Sequence, residues 1–595
     1  MCTILNVIPD MKSLIPSLST AFLLLFFSCS SPDKPQDDRE ALVKASGDRY
    51  YGGVFRLNES EYLKNLFPHN ITDAYSYRIA CQIYEGLFKF DDETLKVIPA
   101  LAESFGIDES GTTYTIKLKE GVYFHDDPCF ENGKGREVTA EDIKYCFTRL
   151  CTQNLNNQLF SSIFKDILKG ANAYYNATAE GHIPDFDVAG IKVINKYTIQ
   201  LFLTEPNSVF LINLSMPGCF IYPREAEEKY KVDMRIKAVG TGPFILSDID
   251  EDISIILKKN NNYHGKDEYG NQLPFLDAIS IQFIKDKKTE LFEFRKGNLD
   301  MIYRLPTDYI LEILEEMNPE NQGEYREYEL QRVPEMATQF LTFNLKNPIF
   351  RDINVRKAFN YAIDREKILD FVLNGEGYAP GIHGITPPVL SDYNIEEIDG
   401  YTLNVDSARY FLNMAGYRDG RNFPKIELLL NPEGERNTNV AIEIQKQLKD
   451  YLNINVELTI LPFAQLIERS FQGDFSLMRT GWIADYPNAE NFLWIFYGDN
   501  VPNNNERISY PNIARYNSAD FDRYFNQALN AKSLEEANNF FKKAERVLMR
   551  DAPIIVLWYD EGYRLIHSYV KNFPNNPMQY RDFSEVYYKK PKQLN

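Results

Sequence analysis

Polar and apolar positions alternate along Tyr114-Thr115-Ile116-Lys117-Leu118, the period-two signature of a strand with one buried face. Gly52-Gly53-Val54-Phe55-Arg56-Leu57 predicts a first strand after a turn, and Gly121-Val122-Tyr123-Phe124-His125-Asp126 a later strand and turn. Residues 76–83 read as a helix leading into Tyr84-Glu85-Gly86-Leu87, and Thr139-Ala140-Glu141-Asp142-Ile143 opens another. Thr139 stands there as N-cap, with two acids in the favourable first turn. From about Asn354 the apolar residues Val355, Ala358, Phe359 and Ala362 recur at three- and four-residue spacing, so one helix face is buried. Arg356 and Asp364 read as scaffold charges. Strands at 426–430 and 454–460 flank a helix at 440–451, and this β-α-β alternation implies a sheet covered by helices. The chain reads as helical over 520–550 and strand-like over 554–558.

Composition narrows the class. At 595 residues the chain is too long for one ordinary core and suggests two or three lobes. Apolar residues at 44% and charged residues at 25% describe a globular protein. A net charge of −20 without basic stripes excludes nucleic acid as a partner, since a phosphate binder needs clustered cations. The 38 Tyr and 40 Phe supply core, and the Tyr excess also suits a cleft that grips varied ligands. Nucleophile elbow, zinc-helix and phosphate-loop motifs are all missing, and the six His (His69, His125, His182, His264, His383, His567) are scattered. Enzyme chemistry, a cofactor and a metal site therefore find no support.

The N-terminus reads as an export signal: Met11-Lys12 is basic, 14–27 is mostly apolar, and Ser28-Cys29 follows at once. Residues 30–39 are polar and Pro-containing, as a membrane tether would be. Of the remaining cysteines, Cys81, Cys129, Cys146, Cys151 and Cys219, none shows Cys-x-x-Cys spacing. Free buried thiols are the default, with one disulfide among Cys129, Cys146 and Cys151 left open.

The most informative segment is Arg479-Thr-Gly481-Trp482-Ile483-Ala-Asp485-Tyr-Pro487. It sets a guanidinium, an indole and a carboxylate within nine positions of a strand-like stretch, the parts needed to hold a zwitterion. A surface ion pair is the bland alternative. The segment resembles the Gly-Trp-x-x-Asp stretch of the oligopeptide- and dipeptide-binding proteins, the family 5 extracellular solute receptors of peptide ABC importers. Val239-Gly-Thr-Gly-Pro-Phe244, Asn261-Asn-Tyr263, Leu273-Pro-Phe-Leu-Asp277 and Phe294-Arg-Lys-Gly-Asn-Leu-Asp300 follow in the family's order. The match runs from about Gly52 to about Pro577.

The resemblance implies an α/β, periplasmic-binding-protein-like two-lobed clamshell of type II, of the large cluster with an extra small β-rich subdomain. It implies a signal at 1–28, lipidation of Cys29 after a lipoprotein signal, and a tether at 29–47. Lobe I would comprise 48–97, an inserted subdomain at 98–185, and 186–334. Lobe II would span 335–559, and 560–595 would return to lobe I. Phe26 and Phe27 depart from the usual lipoprotein pattern, and 127–136 lengthens a turn.

A receptor for peptides of many sequences should hold the ligand main chain as an added strand and leave its side chains to roomy, hydrated pockets. By resemblance the ligand backbone pairs with Glu85-Gly86-Leu87 on one lobe and Gly481-Trp482-Ile483 on the other. Asp485 accepts the α-ammonium, Arg479 receives the carboxylate of a short peptide, and Arg436 either assists or lies at the surface. Trp482 either stacks on the ligand's first side chain or plugs the lobe core. The implied protein is an exported, lipid-anchored monomer that passes peptides to ABC permease subunits. Metal-complex or sugar binding on the same fold, and a peptide sensor without transport, stand as alternatives.

Overall fold

The computed structural model describes residues 41–306, 309–317, 327–431, 436–502 and 508–590. The expected signal, Cys29 and most of the tether lie outside them. The strands of the two larger sheets are, in chain order, β1 (Val54–Asn58), β2 (Ala102–Ile107), β3 (Thr113–Leu118), β4 (Ile191–Asn195), β5 (Thr198–Phe202), β6 (Phe244–Asp250) and β7 (Ser254–Lys259). They continue with β8 (Ala278–Gln282), β9 (Met301–Tyr303), β10 (Tyr328–Phe343), β11 (Ile426–Leu430), β12 (Val456–Ile460), β13 (Leu477–Ile483) and β14 (Ile554–His567). The helices used below are α1 (Ala74–Ile83), α2 (Ala140–Leu150), α3 (Ile353–Tyr361), α4 (Arg436–Leu452), α5 (Ala489–Leu493), α6 (Ala519–Leu529) and α7 (Leu534–Asp551).

One mixed sheet runs through both lobes in the order β6-β7-β8-β1-β9-β14-β10-β13-β11-β12, with the short strand Ala379–Pro380 added on β14. The antiparallel pair β10/β14 joins its halves. Pro334 pairs with Glu561 and the next pair is Thr338 with Tyr559, so Glu335, Met336 and Ala337 face Asp560 alone. Such a bulge bends and twists the ladder. The smaller sheet, β2-β3-β5-β4, is the β-rich subdomain. Its last strands lie at 191–202, past the expected end at 185, because β5 pairs with β3 to complete the sheet.

Local chemistry explains the main helices. Thr139 donates from its N–H and Oγ1 to Asp142 (2.9 and 3.1 Å), which closes the N-terminus of α2. Asp352 caps α3 by accepting from the Asn354 N–H at 2.8 Å. Arg356 donates to the carbonyls of Phe350 and Asp551, both at 2.7 Å, and Asp364 accepts from the Lys367 N–H, so both are scaffold charges.

The predicted strand at 121–126 is not one. Its only ladder contact is Tyr123 with Glu137, and the Phe124 and His125 amides donate to the carbonyls of Arg136 and Gly240. The inserted loop before α2 rests on the helix Arg224–Tyr230: Tyr230 donates to Asp127 at 2.7 Å and Arg136 bridges Glu225 and Asp142. The five described cysteines are free, and burial pushes the thiols of Cys146, Cys151 and Cys219 up.

Lobe I is built on Phe55, Phe88, Phe147 and Tyr222, and the C-terminal tail packs on it through Tyr588, whose hydroxyl donates to Val54 O at 2.8 Å. Lobe II holds Phe343, Phe359, Leu428 and Trp558. A third apolar cluster joins Phe90, Leu95, Val209 and Ile212 of lobe I to Phe492 and Phe541 of lobe II. There the lobes touch: Ser208 donates from N and Oγ to the carbonyls of Leu529 and Ala528, at 3.0 and 2.9 Å.

Candidate functional site

Strand β13 carries the predicted motif and has one open edge. It pairs with β11 only at Leu477 and Met478, while β10 covers its other side from Phe343 to Ala337. The amide of Ala484 donates to Met336 O, and that of Asn344 to Ser476 O. Alternation in an antiparallel ladder then assigns Thr480 and Trp482 to the β10 side. The backbone groups of Arg479, Gly481 and Ile483 therefore point to the edge that, beyond Met478, no described strand covers. A Cβ at Gly481 would meet the Gln339 side-chain oxygen at 2.5 Å, so a larger residue there would displace the Gln339 side chain.

Asp485 follows this edge. Its side chain is exposed to water, and among the described residues no cation lies within ion-pair distance of it. Protein still surrounds it closely enough that burial raises its carboxyl above the ordinary range, against an opposing hydrogen bond from Asn491. The buried Asn491 side chain organises the turn: its Oδ1 accepts from the Trp482 indole at 2.9 Å and from the Asp485 amide at 3.2 Å. Neither Asn491 nor its neighbour Glu490 stood out in the sequence, for only the folded turn gives them a role. Burial pushes the Glu490 carboxyl up to about 7, and Tyr486 donates to it. Trp482 is half-buried against the interlobe apolar cluster, with its N–H taken by Asn491. Ile483 is 63% exposed at the strand end.

The two arginines enter a separate network. Arg479 donates to Gln339, and Gln339 to Asp560. Asp560 also accepts from the Trp558 indole at 2.8 Å and from Arg436 Nη2 at 3.1 Å. Arg436 donates as well to Glu376 O and lies over the Trp558 ring. Its charge is thus matched inside lobe II by a buried carboxylate.

Glu85, Gly86 and Leu87 form a corner inside lobe I. All three are buried, and their carbonyls accept from the amides of Ile221, Leu101, and Ala100 with Ala102. The Glu85 carboxylate accepts from Thr241 Oγ1 at 2.8 Å and sits 3.0 Å from His264 Nε2. Burial pushes it up, but His264 and Thr241 outweigh that and hold it below its ordinary value. The segment's carbonyls are thus taken inside lobe I.

A cavity of about 400 Å³ lies along the lobe contact, between Leu95, Leu211 and Ile212 on one side and Leu390, Pro487 and Leu534 on the other. It reaches the motif at Pro487 but is not lined by Asp485, Trp482 or Arg479.

Known proteins share this architecture over nearly its whole length. The haem-binding protein A of Haemophilus influenzae is 26% identical, over 87% of this chain and 89% of its own. The dipeptide-binding protein of Escherichia coli is 23% identical, over 85% and 88%. The structure of the ABC transporter-associated periplasmic binding protein DppA of Helicobacter pylori, in complex with the peptide STSA, superposes with a TM-score of 0.69 at 25% identity. The superposition covers 91% of this chain and 99% of that one. Residues 96–504, more than half of the chain, match the model of the bacterial extracellular solute-binding proteins, family 5 Middle, and the chain therefore belongs to that family.

Proposed function

We propose that this protein is the extracytoplasmic receptor of a peptide ABC importer, tethered to the membrane by a lipid on Cys29 and closing its two lobes over one peptide. In this reading it acts as a monomer, binds without a cofactor and does no covalent chemistry. No described helix is long and apolar enough to cross a membrane. Asp485 carries the reading, as a carboxylate beside the open edge of β13 with no described cation to neutralise it. A peptide laid along that edge would exchange backbone hydrogen bonds with Gly481 and Ile483 and bring its α-ammonium to Asp485. The Helicobacter neighbour is in complex with the peptide STSA, which supports a peptide as the ligand class.

Titration calorimetry with Ala-Ala-Ala and its N-acetylated form tests the assignment. The free amine should bind at least about tenfold more tightly, because acetylation removes one charge-assisted pair. Equal affinities would detach the ammonium from Asp485.

The haem-binding relative motivates a second reading, in which a solute without an ammonium fills the same cleft. Native mass spectrometry of protein purified from its own cells separates the two, since a retained ligand declares its class by mass.

A further inference from the structure

The cavity along the lobe contact has no part in the main-chain site, yet it starts beside it. Pro487 in its wall stands two residues after Asp485, and a chain spans at most about 3.6 Å per residue, so the wall begins within about 7 Å of the Asp485 Cα. A bound peptide has the same repeat. With its ammonium at Asp485, a side chain from one of its first two residues falls within reach of the opening. We infer that this cavity is the subsite for a large apolar side chain, so that the protein selects peptides with an aromatic or branched aliphatic residue in the first two positions. The inference rests on the peptide reading and deepens it.

The lining favours that occupant. Leu95, Val97, Leu211, Ile212, Leu390 and Leu534 present apolar groups from both lobes. The charged lining residues, Lys96, Lys532 and Asp392, are exposed, and the two lysines disfavour a cationic side chain. At about 400 Å³ the space lies within the range of pockets for small ligands and is ample for a phenyl or indole group. A side chain there would touch both lobes next to the Ser208 contact with Leu529, so its burial would favour the closed arrangement.

Calorimetry with Ala-Ala-Ala, Phe-Ala-Ala, Ala-Phe-Ala and Ala-Lys-Ala tests this. At least one Phe peptide should bind about tenfold or more tightly than trialanine, with the Lys peptide no better than trialanine. Leu211→Trp fills the cavity from lobe I and Leu390→Trp from lobe II. In whichever variants keep the parent melting midpoint, the Phe-to-Ala affinity ratio should collapse to about twofold or less. A Phe preference that survives the filling, or no Phe preference beside measurable trialanine binding, overturns the subsite alone. Failure of every peptide to bind overturns the peptide reading and the subsite with it.

Discussion

Glu59→Ala is expected to lower the melting midpoint of the protein by about 3–5 °C. Glu59 lies just beyond β1 and is 5% exposed, and Arg581, in the C-terminal tail, is 2% exposed. The carboxylate accepts from Arg581 at 2.7 Å and from Arg78 at 3.0 Å. Removing one partner of a buried pair costs about 3–5 kcal/mol, because the remaining charge stays desolvated and unanswered. For a body of this size each kcal/mol moves the midpoint by only about 1 °C. Burial pushes the Glu59 carboxyl up, and the two guanidinium groups outweigh it, so the folded value lies below the ordinary 4.5. Burial also lowers Arg581, but from 12.5, so it remains charged at neutral pH. The contribution of Glu59 is therefore complete above about pH 4.5 and fades as pH falls through the folded value. Calorimetric scans at pH 7 and pH 3 should show a large difference between parent and variant at the first and a smaller one at the second. A shift below about 1 °C at pH 7 would mean that the Glu59–Arg581 pair does not help to hold the tail on lobe I.

Residues whose partners are near in sequence were the ones that could be read in advance. The Thr139–Asp142 pair spans three positions, so short-range chemistry decides it. Strand β11 was found with its bounds intact because five residues with Gly/Pro-free apolar character sit between turns. The long strand β14 was seen only in part and β10 was not read as a strand. Both are buried on two faces over most of their length, which erases the period-two alternation, and the bulge at Glu335–Ala337 shifts its phase. At 121–126 the aromatic and β-branched content imitates a strand, yet the backbone bonds go to Arg136 and Gly240, the latter more than a hundred residues away.

The site divides along the same line. Arg436 could be read only as a ligand group or a surface group because its partner Asp560 is 124 positions distant. Spacing within Arg479–Pro487 does place Gly481 and Asp485 near one another. It cannot say that β11 leaves β13 after Met478 and so exposes the edge; that depends on where a parallel partner diverges. The family resemblance drew attention to the strand, and the register explains why that strand is available.

Asp485→Ala is expected to weaken binding of a free-amine tripeptide on the order of a hundredfold while leaving the fold intact. A charge-assisted hydrogen bond is worth about 1.5–3 kcal/mol, and an ammonium enclosed without its counter-charge adds a desolvation cost. No other hydrogen bond of the side chain is lost beyond that with Asn491, whose own bond to the Trp482 indole remains. Stability should therefore change little, and the melting midpoint is the control. Asp485→Asn keeps the shape and removes the charge, so it should match the alanine variant to within about tenfold if charge is what binds. The pH response has a fixed sign. Burial raises the carboxyl in the empty protein, and a bound ammonium would draw it down, so peptide binding releases protons and affinity is full only above the empty protein's value. Affinity should begin to fall at a higher pH than for an ordinary aspartate, and the fall should vanish in Asp485→Asn. Calorimetry from pH 4 to 8 in two buffers of different ionisation heat reads both affinity and proton release. A pH profile that the asparagine variant shares with the parent would assign the titration to another group, with Glu490, held near 7 beneath the same turn, the first to be substituted.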